Sequence, residues 1–285
     1  MNPVFANLPV SIFEVMSREA QARGAVNLGQ GFPESDGFID VREAAARALI
    51  EQSNQYAPMR GLPALRQAVA QFYSRTQGVT LDPDRNVLVT SGATEAICAA
   101  LLALVSPGDE VIVFEPMYDA YIPLIERAGG IARIIQLSPP DWRFSEDQLK
   151  AALSDRTRAV LITTPNNPTT HCLSRDELAL LDVYCERFDA FVIADEVWEQ
   201  IVFDGPHLSV LHLPALAKRS IKIGSAGKIF SLTGWKVGFV CAETALIDAV
   251  ARAHQFITFS TAPALQHAVA YGLNLPDERL SLIHI

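Results

Sequence analysis

Short apolar runs rich in β-branched residues alternate with longer stretches of helical periodicity through most of the chain. Seven runs read as strands: NVLVT (86–90), EVIVFEP (110–116), ARIIQL (132–137), AVLITTP (159–165), FVIADEV (191–197), IKIGS (221–225) and VGFVCA (237–242). They lack strict apolar–polar alternation, as expected for strands covered on both faces. Two of the segments between them open with capping boxes, Ser145 to Gln148 and Ser174 to Glu177. This order predicts an α/β fold, a mostly parallel seven-stranded sheet sandwiched by helices, with ligands gathered at the carboxyl ends of the strands. Residues 1–40 differ: rich in Pro, Gly and Asn, with NLGQGFPES at 27–35, they predict an irregular arm leading into a first helix near Asp40.

Composition narrows the classes. With 285 residues, 49% of them hydrophobic, the chain can bury a full-sized core. A net charge of −9 argues against nucleic-acid and anionic-membrane partners, which need a basic footprint. Cys98, Cys172, Cys185 and Cys241 show no CxxC spacing, the pattern of reduced, buried thiols in a cytoplasmic protein. No HExxH pair occurs among the six histidines, so no metal is expected. The start, MNPVFANLPVSIFEVMSREA, lacks a basic segment followed by an apolar one, and no apolar run reaches membrane-spanning length.

Chemistry should then sit at the strand ends. After the first strand, TSGATEA opens a helix with free N–H groups and a glycine, Gly92, that lets an anion approach. An ordinary turn with Thr94 as helix cap fits the same residues. Tyr118, in FEPMYDAY, could cover a flat ring or simply fill the core. In TTPNNPTT, Asn166 and Asn167 between two prolines form a rigid turn. Asp195 ends a run that should be central and buried, so its carboxylate must pair with a cation or cap the next helix. SAGKIFSLTGWKVGF (225–239) places Lys228 just past a strand and Lys236 eight residues on. Its SxxK spacing suggests a serine hydrolase, but no SDN or KTG follows. Its GSAGK suggests part of a Walker loop, but Lys222 stands at the earlier glycine position and Ile229 at the Ser/Thr position.

Taken together and in order, NLGQGFP, QYAPMRG, SGATEA, TPNNPTT, DEVW and SAGKIFSLTGWKVG resemble the fold-type I, class I/II aminotransferases. The branch is that of methionine, kynurenine and glutamine-phenylpyruvate aminotransferases, and the resemblance runs from about residue 8 to 275. It implies pyridoxal phosphate as cofactor. It also implies amino transfer from a large uncharged, aromatic or sulfur-containing L-amino acid to a 2-oxo acid. A carbon–sulfur β-lyase is the alternative within that cofactor class, and a non-catalytic cofactor-binding regulatory domain is the alternative outside it. By the same resemblance Lys228 would bond the cofactor aldehyde and carry the substrate proton, with burial and Lys236 depressing its pKa. Asp195 would pair with the pyridine nitrogen, Asn167 would bond the ring oxygen and Tyr118 would stack on the ring. The phosphate would rest on the Ala93 and Thr94 N–H groups, Ser225 and Lys236. Gly31 and Asn167 would line the substrate pocket. Tyr56 would reach the neighbouring subunit's phosphate in a homodimer, and His254 would approach the partner's pocket.

Two departures stand out. Trp198 occupies the position where the family usually has a tyrosine donating to the ring oxygen, and an indole can donate but not accept. The family chain also continues into a small C-terminal domain carrying an arginine for the substrate carboxylate, whereas this sequence ends at AVAYGLNLPDERLSLIHI. LSLIHI (280–285) is what CTG TCT CTT ATA CAC ATC encodes, a transposon-end adapter used in shotgun libraries. The expected organisation is therefore an arm at 1–40, a cofactor-binding domain at 41–275 and an adapter-derived tail at 280–285, with the small domain missing. So read, the chain should bind cofactor better than it transaminates.

Overall fold

A computed structural model describes residues 2–6, 8–31 and 35–280, which leaves most of the 280–285 tail outside the described residues. All seven apolar runs form strands: β1 (Val87–Thr90), β2 (Glu110–Glu115), β3 (Ile131–Gln136), β4 (Thr157–Thr163), β5 (Phe191–Asp195), β6 (Ser220–Ser225) and β7 (Gly238–Ala242). They make one sheet in the order β1-β7-β6-β5-β4-β2-β3. β7 runs antiparallel to both its neighbours and the other pairs are parallel. Register places Gly238, the first residue of β7, opposite both Thr90 and Ser225. The carboxyl ends of β1 and β6 and the amino end of β7 therefore share one edge.

Side chains alternate across the sheet. Leu88, Val113, Leu161, Ile193 and Ile223 pack on one face beneath the helix Ala93–Leu104. Val89, Ile112, Val160, Val192 and Phe239 pack on the other. Fully burying each such side chain contributes about 1.5–3 kcal/mol, and this two-sided cover explains the non-alternating runs. β3 is the exception. It lies at the sheet edge, and Ile131 and Ile134 are exposed. Both capping boxes form, each with reciprocal side-chain and backbone bonds.

The arm is more ordered than its composition implies. Ile12–Arg23 is a helix, ended by Gly24 at φ 59°, whose left-handed conformation suits glycine. Ion pairs at i,i+4, Glu14–Arg18 and Glu19–Arg23, run along its exposed side. The helix Pro263–Leu273 packs on Ile39–Glu51 and Pro63–Gln77. Beyond it Leu280 is buried, and Arg75 and Arg279 bond Asp277 and Asp40. The four cysteines are free as expected, but burial covers only Cys185 and Cys241; Cys98 is half-buried and Cys172 exposed, because each sits on an outward-facing position. Among the described residues no helix is long and apolar enough to cross a membrane.

Candidate active site

A cavity of about 220 Å³ opens at the shared strand edge. Ala93, Thr94, Tyr118, Asn167, Asp195, Trp198, Ser225, Lys228 and Lys236 all line it. β1, β2, β4, β5 and β6 each deliver at least one of these groups from their carboxyl ends, as a parallel sheet should.

One end of the cavity is built for an anion. Gly92, at φ 81°, caps the twelve-residue helix Ala93–Leu104. The first N–H groups of that helix have no acceptor within it and carry the positive end of its dipole. Thr94 lies in the first turn, and Gly92 rather than Thr94 takes the cap position. Lys236 adopts a left-handed backbone (φ 52°) that carries its chain past Gly92. Gly238 closes the cradle: a Cβ there would stand 2.6 Å from the Gly92 carbonyl carbon.

The other end holds a buried acid. Asp195 is 5% exposed, on the same sheet face as Ile193. Its Oδ2 accepts from the Tyr121 hydroxyl at 2.6 Å and its Oδ1 from the Val197 N–H at 3.3 Å. Burial pushes the carboxyl above its ordinary pKa, while those two donors and Lys228 pull the other way. Both alternatives for this residue are thus partly met: it caps the turn after β5, and it still faces a cavity that can admit a cation. Tyr121 is a site residue that sequence reading does not single out. It also exchanges a 2.6 Å bond with Thr163 and meets Tyr118 edge-on at 5.6 Å. FEPMYDAY offers two tyrosines three residues apart, and only the fold tells the one facing the cavity from the one bonding the acid.

Between the two ends lies Lys228. Its Nζ donates to the Gly31 carbonyl at 2.9 Å and sits 4.4 Å from the centre of the Trp198 ring. Burial lowers its pKa, Asp195 opposes that and Lys236 adds to it. Trp198 reaches back to Gly31, where a Cβ would fall 2.9 Å from the indole. Asn167 lines the cavity, whereas Asn166 turns inward and accepts from the Thr169 N–H and hydroxyl at 3.1 and 2.9 Å. Of the pair, one asparagine shapes the turn and the other is left for the cavity.

Two residues lie elsewhere. Tyr56 is 85% exposed and packs edge-on against Phe259, away from this chain's cavity. His254 is fully buried, held by Glu95 at 3.0 Å and the Met59 carbonyl at 3.1 Å. A histidine so enclosed cannot reach a partner's pocket, which corrects that expectation; it joins two helices and the loop before the helix Pro63–Gln77. The residues present fit pyridoxal phosphate: an anion cradle at one end, a buried carboxyl at the other and an amine of lowered pKa between.

Comparison with known proteins agrees. Residues 23–283 match the family model for aminotransferase class I and II. The chain is 42% identical to the methionine aminotransferase of Escherichia coli over 277 residues, 96% of this chain and 72% of that protein. It is 38% identical to human kynurenine–oxoglutarate transaminase 1, covering 88% of this chain and 63% of that one. The crystal structure of the E. coli methionine aminotransferase superposes with a TM-score of 0.92, covering 96% of this chain and 74% of that chain. Aspartate aminotransferase from Thermus thermophilus gives 0.89 at 28% identity, covering 99% and 74%.

Proposed function

The chain belongs to the class I and II aminotransferases, enzymes that depend on pyridoxal phosphate, and on that premise we propose a role for each group in its cavity. Bound pyridoxal phosphate supplies an aldehyde that condenses with amines and a ring that accepts electron density from the amino acid Cα. Lys228 offers the amine for that aldehyde, in the neutral form its burial favours, and takes up and returns the Cα proton at Nζ. Asp195 receives the ring N–H and keeps it protonated, with Tyr121 fixing the carboxyl. Asn167 donates to the ring oxygen and Tyr118 covers the ring. Ser225, Lys236 and the Ala93 and Thr94 N–H groups bind the phosphate. Trp198 holds the place of a hydroxyl donor and shields one side of Lys228 from water.

The carrying observation is that nine residues drawn from five stretches of sequence surround a single cavity. Residues 41–275 serve as the cofactor-binding unit and residues 1–40 as an arm that brings Gly31 against the substrate side. Exposed Tyr56 reaches the phosphate of a second copy, which makes the working unit a homodimer. Four free thiols support a cytoplasmic setting. The donor is a large uncharged amino acid of the methionine or kynurenine type, passing its amino group to a 2-oxo acid; the named relatives support that choice. The test is to supply L-methionine or L-kynurenine with and without a 2-oxo acid acceptor. Product that requires the acceptor supports amino transfer. A thiol, pyruvate and ammonia released from a cysteine conjugate without an acceptor would assign the chain to carbon–sulfur lyases instead.

A further inference from the structure

Behind the active site, on the opposite face of the sheet, a charged cluster is sealed from water. Lys222 of β6 is 0% exposed, in register with Ala194 of β5 and Cys241 of β7. Its ammonium lies 2.6 Å from Glu199, 3.1 Å from Glu196 and 3.1 Å from the Tyr73 hydroxyl. The Tyr73 ring centre is 4.3 Å away. Glu199 also accepts from Tyr73 at 2.6 Å and Gln77 at 2.7 Å. Glu196 accepts from His207 at 2.8 Å and from the Val210 N–H at 2.9 Å. Burial works against the ammonium, but the two carboxylates outweigh it and hold Lys222 above its ordinary pKa. The same pairing brings Glu196 down to about 2.

Glu196, Glu199 and His207 bring ligand atoms within 4.8 Å of one another, the spacing of a metal site. The Lys222 ammonium supplies the cation there, so the cluster is closed by the chain itself. A buried ion group of this kind seldom adds stability over apolar packing, which directs attention to what it positions. The two glutamates stand at the start and end of the turn 196–199, whose ends are joined by the Glu199 N–H to Glu196 carbonyl bond at 3.0 Å. Asp195 directly precedes that turn and Trp198 lies within it. Lys222 is on the strand that leads three residues on to Ser225 and six to Lys228. It does not line the active-site cavity.

We propose that Lys222 is a positioning residue for the active site: its ammonium ties the 196–199 turn to β6 and so fixes Asp195 and Trp198 relative to Lys228. Strand pairing sets the separation of β5 and β6 only as far as the Glu196 N–H to Ile223 carbonyl bond. Past that point the chain leaves the ladder, and the ion cluster is the link that continues it. The proposal rests on the cofactor roles of Asp195 and Lys228 under the proposed function.

The test uses the full chain with Lys222→Met, close in shape but uncharged, and the charge-balanced Lys222→Met/Glu199→Gln. Three quantities are read: amide hydrogen exchange of residues 196–201 without cofactor, the dissociation constant for pyridoxal phosphate, and the pH midpoint of the bound cofactor's visible band. In the single variant the turn should exchange faster while β4 stays protected, and affinity should fall about tenfold, as when the support of a binding group is removed. The midpoint should move with it. The double variant lacks the tether without leaving two facing carboxylates, so it should fold even where the single one does not and lose roughly threefold in affinity. A folded variant with a lower melting temperature but unaltered turn exchange, affinity and midpoint would reduce Lys222 to a structural role and overturn the proposal. Failure of the unaltered chain to bind pyridoxal phosphate would instead remove the site assignment, and the proposal with it.

Discussion

Replacing Gly238 by alanine should separate the phosphate cradle from the rest of the site. The added methyl would stand 2.6 Å from the Gly92 carbonyl carbon and 2.8 Å from the Ala93 nitrogen, both backbone atoms. Carbon–carbon contact is comfortable only from about 3.5 Å, so the start of β7 and the helix Ala93–Leu104 must part by about 1 Å. Overpacking of that kind costs about 1–3 kcal/mol of stability. The displaced helix start carries the N–H groups assigned to the phosphate, and a hydrogen bond to a charged group is worth about 1.5–3 kcal/mol. Losing one such bond weakens binding roughly tenfold to a hundredfold. Fluorescence titration with pyridoxal phosphate and with unphosphorylated pyridoxal gives the readout. The phosphate ester should lose at least about tenfold in affinity and pyridoxal less than about threefold. Equal losses for both, or a lower melting temperature with both affinities intact, would refute the cradle.

Three further perturbations probe the other end of the cavity. Tyr121→Phe removes the 2.6 Å bond to Asp195 and leaves the Thr163 hydroxyl without that partner, so urea unfolding at neutral pH should show a loss of about 1.5–3 kcal/mol; a loss under about 0.5 kcal/mol would contradict the bond's importance. Asp195 has a folded pKa raised by burial, so the native state binds its proton more readily than the unfolded chain. Its contribution is complete below the unfolded pKa of about 3.9 and is lost as pH rises through the folded value. Asp195→Asn in the cofactor-free chain should therefore gain stability relative to wild type as pH rises, and a difference that stays constant with pH would refute the assigned shift. Trp198→Tyr restores a hydroxyl that can both donate and accept beside the ring oxygen. The pH midpoint of the bound cofactor's band should move, and identical titrations for the two proteins would show that the indole changes nothing.

Much of this was legible in the residues because a parallel sheet imposes a simple rule. Its strands are covered on both faces and read as bare apolar runs, and its chemistry gathers where those runs end. Asp195, Lys228, Asn167 and Tyr118 each come directly after or at the end of such a run, so locating the strand located the residue. Residues whose role depends on what they meet across the fold were not readable. Tyr121 matters because it lies 2.6 Å from an acid 74 residues away, and Lys222 because two glutamates on the next strand's turn close over it. In sequence Lys222 reads only as a misplaced residue in a phosphate-loop pattern. The helix Ile12–Arg23 was hidden for a different reason: its flanks are rich in Pro, Gly and Asn, while its own signals are surface ion pairs and a terminal glycine. His254 shows the reverse error, since a family position can suggest a role that 0% exposure rules out.

The central claim is that Lys228 is the amine that receives the cofactor aldehyde. Incubating the chain with pyridoxal phosphate, reducing with borohydride and mapping the peptides tests it directly. The account predicts a single major pyridoxyl label, on the peptide containing Lys228, lost in Lys228→Met while the chain stays folded. Label on Lys236, or spread over exposed lysines with Lys228 unmodified, would contradict it.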